Sequence, residues 1–384
     1  MKTVIHYTAG TYLPITENWI YGQIKNLKRY QPVVYALQTE NLDIYPTERI
    51  RSLELNPELR NLYTFFNKGW NKLFNFYPRF LFNLRQDKPA LVHAHFGPSG
   101  YGFLPLKNLF KLPMVTTFYG YDLSLVPSQH PEWREKYKKL FKEGEVFLVE
   151  GNYMRKRLIE LDCPEGKIIV QHLGTDLDKI RFVPRTNEDA EVRILISASF
   201  KEKKGIPYAV KAFGQVKQSH PNLKLKLTII GDSNGNPAGE EEKKKIFNVI
   251  HRYNLKECVN LLGYQPYPLF LRELYRHHIF LHPSIRAANG DTEGGVPISV
   301  IEASASGMPI LSTTHCDIPE VVIDGQNGCL VPERDTDALA KKLEFLVLNP
   351  NLWQNMGLSG RKHAEKNYDV KKQTRRLEEI YDEI

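Results

Sequence analysis

The chain has 384 residues, 42% of them hydrophobic and 25% charged, with 25 Gly, 24 Pro and 4 Cys. That length suits two domains, each large enough for its own core; it excludes wholesale disorder and collagen-like repeats, and no run of about 20 apolar residues offers a spanning helix. Residues 1–185 hold 26 Lys and Arg against 18 Asp and Glu, whereas residues 186–384 hold 26 of each, so the whole positive excess points to an anionic partner for the N-terminal half.

An acidic lipid surface or an anionic acceptor fits that excess. Nucleic acid is set aside, because no recognition-module signature accompanies the charge. The chain starts MKTVIHYTAG, directly in a strand-like run without a cleavable signal pattern. Cys163, Cys258, Cys316 and Cys329 form no CxxC pair. They read as free thiols of a reducing cytoplasm.

Short β-branched runs then alternate with helical patterns. The first half predicts strands at Thr3–Thr8, Val33–Leu37, Leu91–Phe96, Met114–Tyr119, Val146–Glu150 and Ile168–His172, with helices near 17–30, 132–143 and 153–161. Near-continuous apolar strands separated by helices predict a parallel sheet covered on both faces. The stretch 65–85, FFNKGWNKLFNFYPRFLFNLR, places Phe66, Trp70, Leu73, Phe74, Tyr77, Phe80, Leu81 and Leu84 at helical spacing opposite Lys68, Lys72, Arg79 and Arg85. It reads as a helix packed on the sheet and broken near Pro78, or as a basic amphipathic membrane-surface patch.

Residues 175–191 are polar and without apolar periodicity, which predicts a linker. The alternation resumes with strands at 193–199, 226–231, 259–263, 279–283 and 309–313, and helices at 206–219, 240–253, 267–276, 298–306 and 336–347. The expected organisation is therefore a first domain over 1–185, a second domain over 186–365, and a closing C-terminal helix over 366–384. In open α/β sheets ligands bind beyond the carboxyl ends of the strands, so a cleft between the two domains is the expected site.

The most specific segment is 281–313, LHPSIRAANGDTEGGVPISVIEASASGMPILST. A strand ends near Pro283, an acidic Gly-rich loop follows, and a helix opens at about Pro297, where a residue lacking an N–H costs nothing. Gly294 and Gly295 leave backbone amides exposed just before the positive end of the helix dipole, a ready phosphate site. Glu302, more than a turn into the helix, can accept hydrogen bonds from a ribose hydroxyl pair.

Glu293, then Glu302-Ala303, then Ala305-Ser306-Gly307-Met308-Pro309 resembles the donor-site signature of glycosyltransferase family 4, the retaining GT-B enzymes. HAHFGPSG at 93–100, TTFYGYDLS at 116–124, HLGTDLDKIRF at 172–182, EKKGIPYAVKAF at 202–213, IIGD at 229–232 and DIPEVVIDGQNGCLVP at 317–332 extend the resemblance over almost the full length. It implies an α/β GT-B fold: two Rossmann-like parallel-sheet domains facing across a cleft, the C-terminal one over 186–365 binding a nucleotide sugar, the N-terminal one over 1–185 the acceptor, and the helix over 366–384 packing back on the N-terminal domain. It further implies Lys204 against the pyrophosphate, Glu302 against the ribose, the Gly294, Gly295, Val296, Pro297 and Ile298 backbone around phosphate and sugar, and Gly10 near the donor.

Three positions depart from the family pattern. Eight residues separate Glu293 from Glu302, one more than the family spacing, so either Gly295 forms a one-residue bulge or Glu293 has a different task. Ser199 stands where an Arg is usual, leaving Lys201, Lys203 and Arg286 as candidate replacement cations. Tyr119 stands where many relatives carry His, and a phenol is a poor base near neutral pH.

The expected chemistry is retaining transfer of a hexose from a UDP- or GDP-type sugar to a saccharide or lipid-linked acceptor of surface polysaccharide or lipopolysaccharide biosynthesis. The departing phosphate can take the acceptor's proton. Glu293, Tyr119, Asp122 and His95 are the catalytic candidates, with a turn-capping role open for Asp122. No cofactor and no metal are expected: His93 and His95 share a strand face, but a third ligand with sensible spacing is missing. A cytoplasmic enzyme, peripheral at the inner face of the membrane, is the corresponding location. A soluble acceptor and a catalytically degenerate GT-B binding protein are the alternatives. A dehydrogenase is disfavoured because no GxGxxG follows the first strand.

Overall fold

The computed structural model describes residues 1–14, 18–53, 69–70, 76–188 and 190–384. The chain forms two compact units, one comprising Met1–Gly174 with Val370–Ile384 and the other Thr175–Asp369. Among the described residues, no helix is long and apolar enough to cross a membrane.

The first unit is built on a seven-stranded sheet in the order β3-β2-β1-β4-β5-β6-β7. Its strands are β1 (Lys2–Tyr12), β2 (Tyr30–Thr39), β3 (Ile50–Ser52), β4 (Leu91–His95), β5 (Met114–Thr117), β6 (Val146–Val149) and β7 (Ile168–Val170), all paired in parallel. β4 is buried along its whole length, as a strand covered on both faces must be. One face packs Ile5, Val33, Val92, Met114 and Phe147 against helical Phe80, Phe103 and Leu140. The other packs Val4, Leu91, Val115 and Leu148 against Leu377, Ile380 and Tyr381 of the final helix, Val370–Asp382. Glu378 of that helix accepts the Lys28 and Arg29 N–H groups at 2.7 and 2.6 Å, tying the C-terminus to the turn before β2.

The second unit repeats the plan with a six-stranded sheet in the order β10-β9-β8-β11-β12-β13. Here β8 is Glu191–Ser197, β9 Lys224–Ile230, β10 Val259–Gly263, β11 Ile279–His282, β12 Ile310–Thr313 and β13 Gly328–Val331. The order reverses between β1 and β4 in the first sheet and between β8 and β11 in the second. Strand carboxyl ends at such reversals form a crevice suited to ligands.

The segment expected to be a linker belongs to the second unit, so its boundary lies at 174/175 and not at 185/186. Thr175 N–H bonds Tyr368 C=O at 2.8 Å, and Leu177 and Ile180 are buried with Ala305 and Ala364. Arg185 Nε and Nη2 donate to the carbonyls of His277 and Leu274, each at 2.8 Å. Polar composition concealed this because backbone carbonyls, rather than an apolar stripe, anchor the segment. The far boundary is likewise at 369/370, within the stretch expected to return.

Helices at Glu132–Glu143, Ile206–Ser219, Tyr267–Arg276 and Ile298–Ser306 coincide with the spacing of their apolar residues. Gly97–Phe110 forms a helix that the sequence conceals behind three Gly and two Pro. Gly is required on its packed face, since a Cβ at Gly97 would meet the Phe118 ring at 2.3 Å and one at Gly100 the Thr116 hydroxyl at 2.6 Å. Of the 65–85 stretch, Pro78–Asp87 is a helix that buries Phe80 and Leu84 and leaves Phe82 and Arg85 exposed, the packed-helix alternative for this part. Phe66, Lys68, Lys72, Leu73 and Phe74 lie outside the described residues.

Candidate functional site

Beyond the carboxyl end of β8, the turn Glu202–Lys204 lies against the loop that follows β11. Gly205 makes this approach possible: it has φ +63°, and a Cβ there would stand 1.9 Å from the Pro283 carbonyl oxygen. The Ile285 N–H closes the contact on the Lys203 carbonyl at 2.8 Å. Lys204 Nζ thereby reaches Glu293 Oε2 at 2.8 Å, with the two side chains 16% and 6% exposed.

Ser284 Oγ donates to Glu293 Oε1 at 2.8 Å, and His282 Nε2 lies 3.6 Å from the same oxygen. Burial favours the neutral carboxyl, but the Lys204 charge and His282 hold Glu293 well below the usual carboxylate range. Burial lowers the Lys204 pKa, and Glu293 opposes that shift. Glu293 is thus a fixed carboxylate beside a cation.

The residues after Glu293 wrap toward the next helix. Gly294 takes φ +74°, and Gly294, Gly295 and Val296 are buried. Pro297 precedes Ile298–Ser306 and supplies no side-chain cap, so the first-turn amides lack that partner. Glu302 is buried on this helix, and its Oε1 accepts from Tyr267 Oη at 2.9 Å and Thr175 Oγ1 at 3.3 Å. Burial pushes Glu302 up to about 7, against the pull of both hydroxyls.

Ser199 follows β8 and is partly buried. Among the candidate replacement cations, Lys203 is engaged with Asp291 Oδ1 at 3.2 Å and the Thr292 carbonyl at 2.8 Å. Lys201 and Arg286 are exposed. The Arg286 backbone is held on both sides: its N–H donates to Glu333 Oε2 and its carbonyl accepts from Arg334 Nη2, each at 2.7 Å.

In the first unit, Gly10 lies within β1 rather than after it, at a register shift between Thr8 and Thr11, and it is exposed. His95 ends β4, its Nδ1 2.7 Å from Tyr119 Oη. Burial pushes the Tyr119 phenol well above its ordinary range, so it stays protonated. Asp122 is wholly buried; its Oδ2 accepts the Gly97 N–H at 2.8 Å and its Oδ1 the Tyr119 N–H at 3.0 Å. Burial raises its pKa to about 6 while those amides pull it down. Here Asp122 braces two strand-end turns, the capping alternative, and does not stand free as an acceptor-side base.

The reading that His93 and His95 have no third companion is corrected by strand pairing. β1 and β4 set His6 directly beside His93, and one ligand atom from each of His6, His93 and His95 lies within 4.8 Å of the others. Five of their six ring nitrogens have partners: His6 Nδ1 with His95 Nε2 at 3.0 Å, His93 with Tyr381 and Thr117 at 2.6 Å each, and His95 Nδ1 with Tyr119. Burial depresses all three imidazoles, His6 to about 3. Three neutral imidazoles suit either a metal ion or the hydrogen-bond network present; a metal would have to displace some of these bonds. The unit also has a cavity of about 380 Å³ lined by Tyr7, Phe80, Tyr101, Trp133 and Lys136, among others.

Sequence reasoning missed His6, Tyr267, Thr175, His282, Ser284, His315 and Glu333. The last two flank the quoted 317–332 segment, but nothing local reveals that they meet.

The family model described as "Glycosyl transferases group 1" matches residues 176–363, and that described as "Glycosyltransferase Family 4" matches residues 25–179. The chain is 31% identical over 252 residues to a protein named as a colanic acid biosynthesis glycosyltransferase, WcaL, of Escherichia coli (strain K12), spanning 65% of this chain and 59% of that relative. It is 31% identical over 295 residues to the amylovoran biosynthesis glycosyltransferase AmsK of Erwinia amylovora, spanning 76% of this chain and 69% of that protein. The crystal structure of Anabaena HepE in complex with UDP and glucose matches with a TM-score of 0.78 over 100% of both chains at 14% identity, a likeness of fold.

Proposed function

Because the chain belongs to the family 4 glycosyltransferases and has their GT-B fold, we propose that it transfers a hexose from a UDP- or GDP-type sugar, with retained anomeric configuration, to a saccharide or lipid-linked acceptor. The names of its relatives support a place in exopolysaccharide biosynthesis; lipopolysaccharide is a further acceptor class.

The observation that carries this reading is the Lys204–Glu293 ion pair beside the Gly294-Gly295 turn and the uncapped Ile298–Ser306 helix. A leaving diphosphate develops negative charge that must be met by groups already aimed at it. Lys204 exchanges its carboxylate partner for the diphosphate, and the first-turn amides of the helix add their positive end. Glu293, still bonded to Ser284, then has Oε2 available for a sugar hydroxyl. Glu302 accepts a ribose hydroxyl, and its raised pKa falls as donors replace lost solvent.

Neither Tyr119 nor Asp122 is suited to take the acceptor's proton, so the departing phosphate oxygen takes it on the face where the new bond forms. His95 holds the Tyr119 hydroxyl for hydrogen bonding. Lys204 and the helix amides supply the charge that a metal would otherwise supply, and we propose turnover without added metal.

Aromatic rings flank sugars well, and the cavity lined by Tyr101 and Trp133 is a candidate acceptor region. The basic excess of residues 1–185 supports a place at an anionic membrane face; the four free cysteines support a cytoplasmic location, and we propose no nucleic-acid partner because no recognition-module signature accompanies the charge.

Titration calorimetry with UDP, GDP and their hexose conjugates, in chelator and then in magnesium, tests the donor site. Saturable binding of one nucleotide class in chelator is expected. Binding by none, with or without magnesium, would refute the proposal.

A further inference from the structure

Behind Glu293 stands a hydrogen-bond strut whose direction the atoms determine. The Glu293 backbone N–H can only donate, and it points to His315 Nε2 at 3.1 Å. His315 Nε2 is therefore the acceptor, which leaves the proton of the neutral ring on Nδ1. That Nδ1 lies 2.6 Å from Glu333 Oε1. The second Glu333 oxygen accepts the Arg286 N–H at 2.7 Å.

Sheet geometry delivers the two side chains. His315 follows β12 and Glu333 follows β13, and these strands pair from Ile310↔Gly328 to Thr313↔Val331, with the Thr314 N–H continuing onto the Val331 carbonyl at 2.9 Å. The loop from Arg286 to Glu293 is consequently pinned at both ends by one carboxylate and one imidazole. His315 is 1% exposed, so water does not readily replace its bond to the Glu293 amide.

We infer that His315 is a positioning residue, which holds the Glu293 backbone in place when an anionic diphosphate draws Lys204 away from the Glu293 carboxylate. This rests on the donor-site reading above. In the free protein Lys204 and Ser284 fix the carboxylate from its two oxygens. With Lys204 turned to a diphosphate, Ser284 and His282 remain beside the carboxylate, and the His315 strut holds the backbone. Glu333 orients the imidazole and shares the loop's other end.

Two variants separate a specific acceptor from mere bulk. His315→Gln keeps an amide oxygen near the position of Nε2, and His315→Leu keeps volume without an acceptor. Hydrogen–deuterium exchange of peptides covering 286–295 is measured in the free proteins, and each is titrated with UDP, GDP and the corresponding hexose conjugates.

The expected result is exchange of that loop faster by about tenfold in His315→Leu, consistent with loss of one buried hydrogen bond, with the remaining peptides unchanged. His315→Gln stays within about threefold of the parent. His315→Leu also weakens the sugar conjugate more than the bare nucleotide. Unchanged loop exchange in His315→Leu, no rescue by Gln, or equal weakening of conjugate and nucleotide overturns the inference. A parent chain that binds no nucleotide refutes the donor reading instead, and the exchange data then still decide whether His315 holds the loop.

Discussion

Removing the Lys204 ammonium is the most informative single perturbation. Lys204→Ala leaves Glu293 with Ser284, and with His282 at 3.6 Å, in a site where its side chain is only 6% exposed. Breaking a fully buried pair from one side costs about 3–5 kcal/mol. Lys204 retains 16% exposure and Ser284 still donates, so about 2–3 kcal/mol is the expected loss at pH 7.

The pH dependence has a definite sign. Glu293 is held below its ordinary value in the folded chain, so its contribution is full above the unfolded value and lost as pH falls through the folded one. The deficit of Lys204→Ala relative to the parent should therefore shrink in acid. Adding Glu293→Gln should recover part of the loss, with a coupling of about 1–3 kcal/mol. Urea unfolding of the second unit at pH 7 and near pH 4 reads stability. Calorimetric titration reads nucleotide affinity, which should fall by about tenfold or more with the lost charge-assisted contact. Parental stability at pH 7 together with nucleotide affinity within twofold would refute the reasoning.

Three other perturbations test separate parts of the structure. Glu302→Gln keeps an acceptor for Tyr267; because the Glu302 pKa is raised to about 7, the parent loses stability as pH rises from the ordinary glutamate range through that value, and the variant should gain about 1–2 kcal/mol over the parent at pH 8 and far less at pH 5, measured by thermal unfolding. Gly205→Ala forces a Cβ to 1.9 Å from the Pro283 carbonyl at positive φ, so a loss of about 3 kcal/mol or more and weakened nucleotide binding are expected from urea melts and titration. Glu378→Ala orphans the Lys28 and Arg29 amides and leaves the Arg29 guanidinium with Asp382 as its carboxylate partner; it should cost the first unit about 1–3 kcal/mol by the same melts, with faster exchange in the final helix.

Much of the architecture was legible in the chain because its causes are local. Apolar spacing alone bounds the helices 132–143, 206–219, 267–276 and 298–306, and Pro297 with the preceding glycines marks where the last of these starts. Glu302 could be placed on that helix for the same reason. Local signals failed where packing overrides them: Gly97–Phe110 is helical despite its Gly and Pro content because its bare backbone lies close to Phe118 and Thr116. They failed also at β3, IRS, and β13, GCLV, which unlike the equally short strands that were found carry no continuous β-branched apolar run.

The partnerships of the site belong to tertiary structure. Lys204 and Glu293 are 89 residues apart in sequence, as are His6 and His95; neither separation carries a periodic signal. They meet because parallel strands align their carboxyl ends, and the reversal of strand order gathers loops from distant crossovers at one edge. The Arg185 anchor and the His315–Glu333 strut arise likewise, from backbone groups whose direction only the folded sheet determines. Residue types and helix positions are set by short-range sterics and periodicity, whereas each carboxylate's cation, each imidazole's proton and each loop's anchor follow from strand order and register.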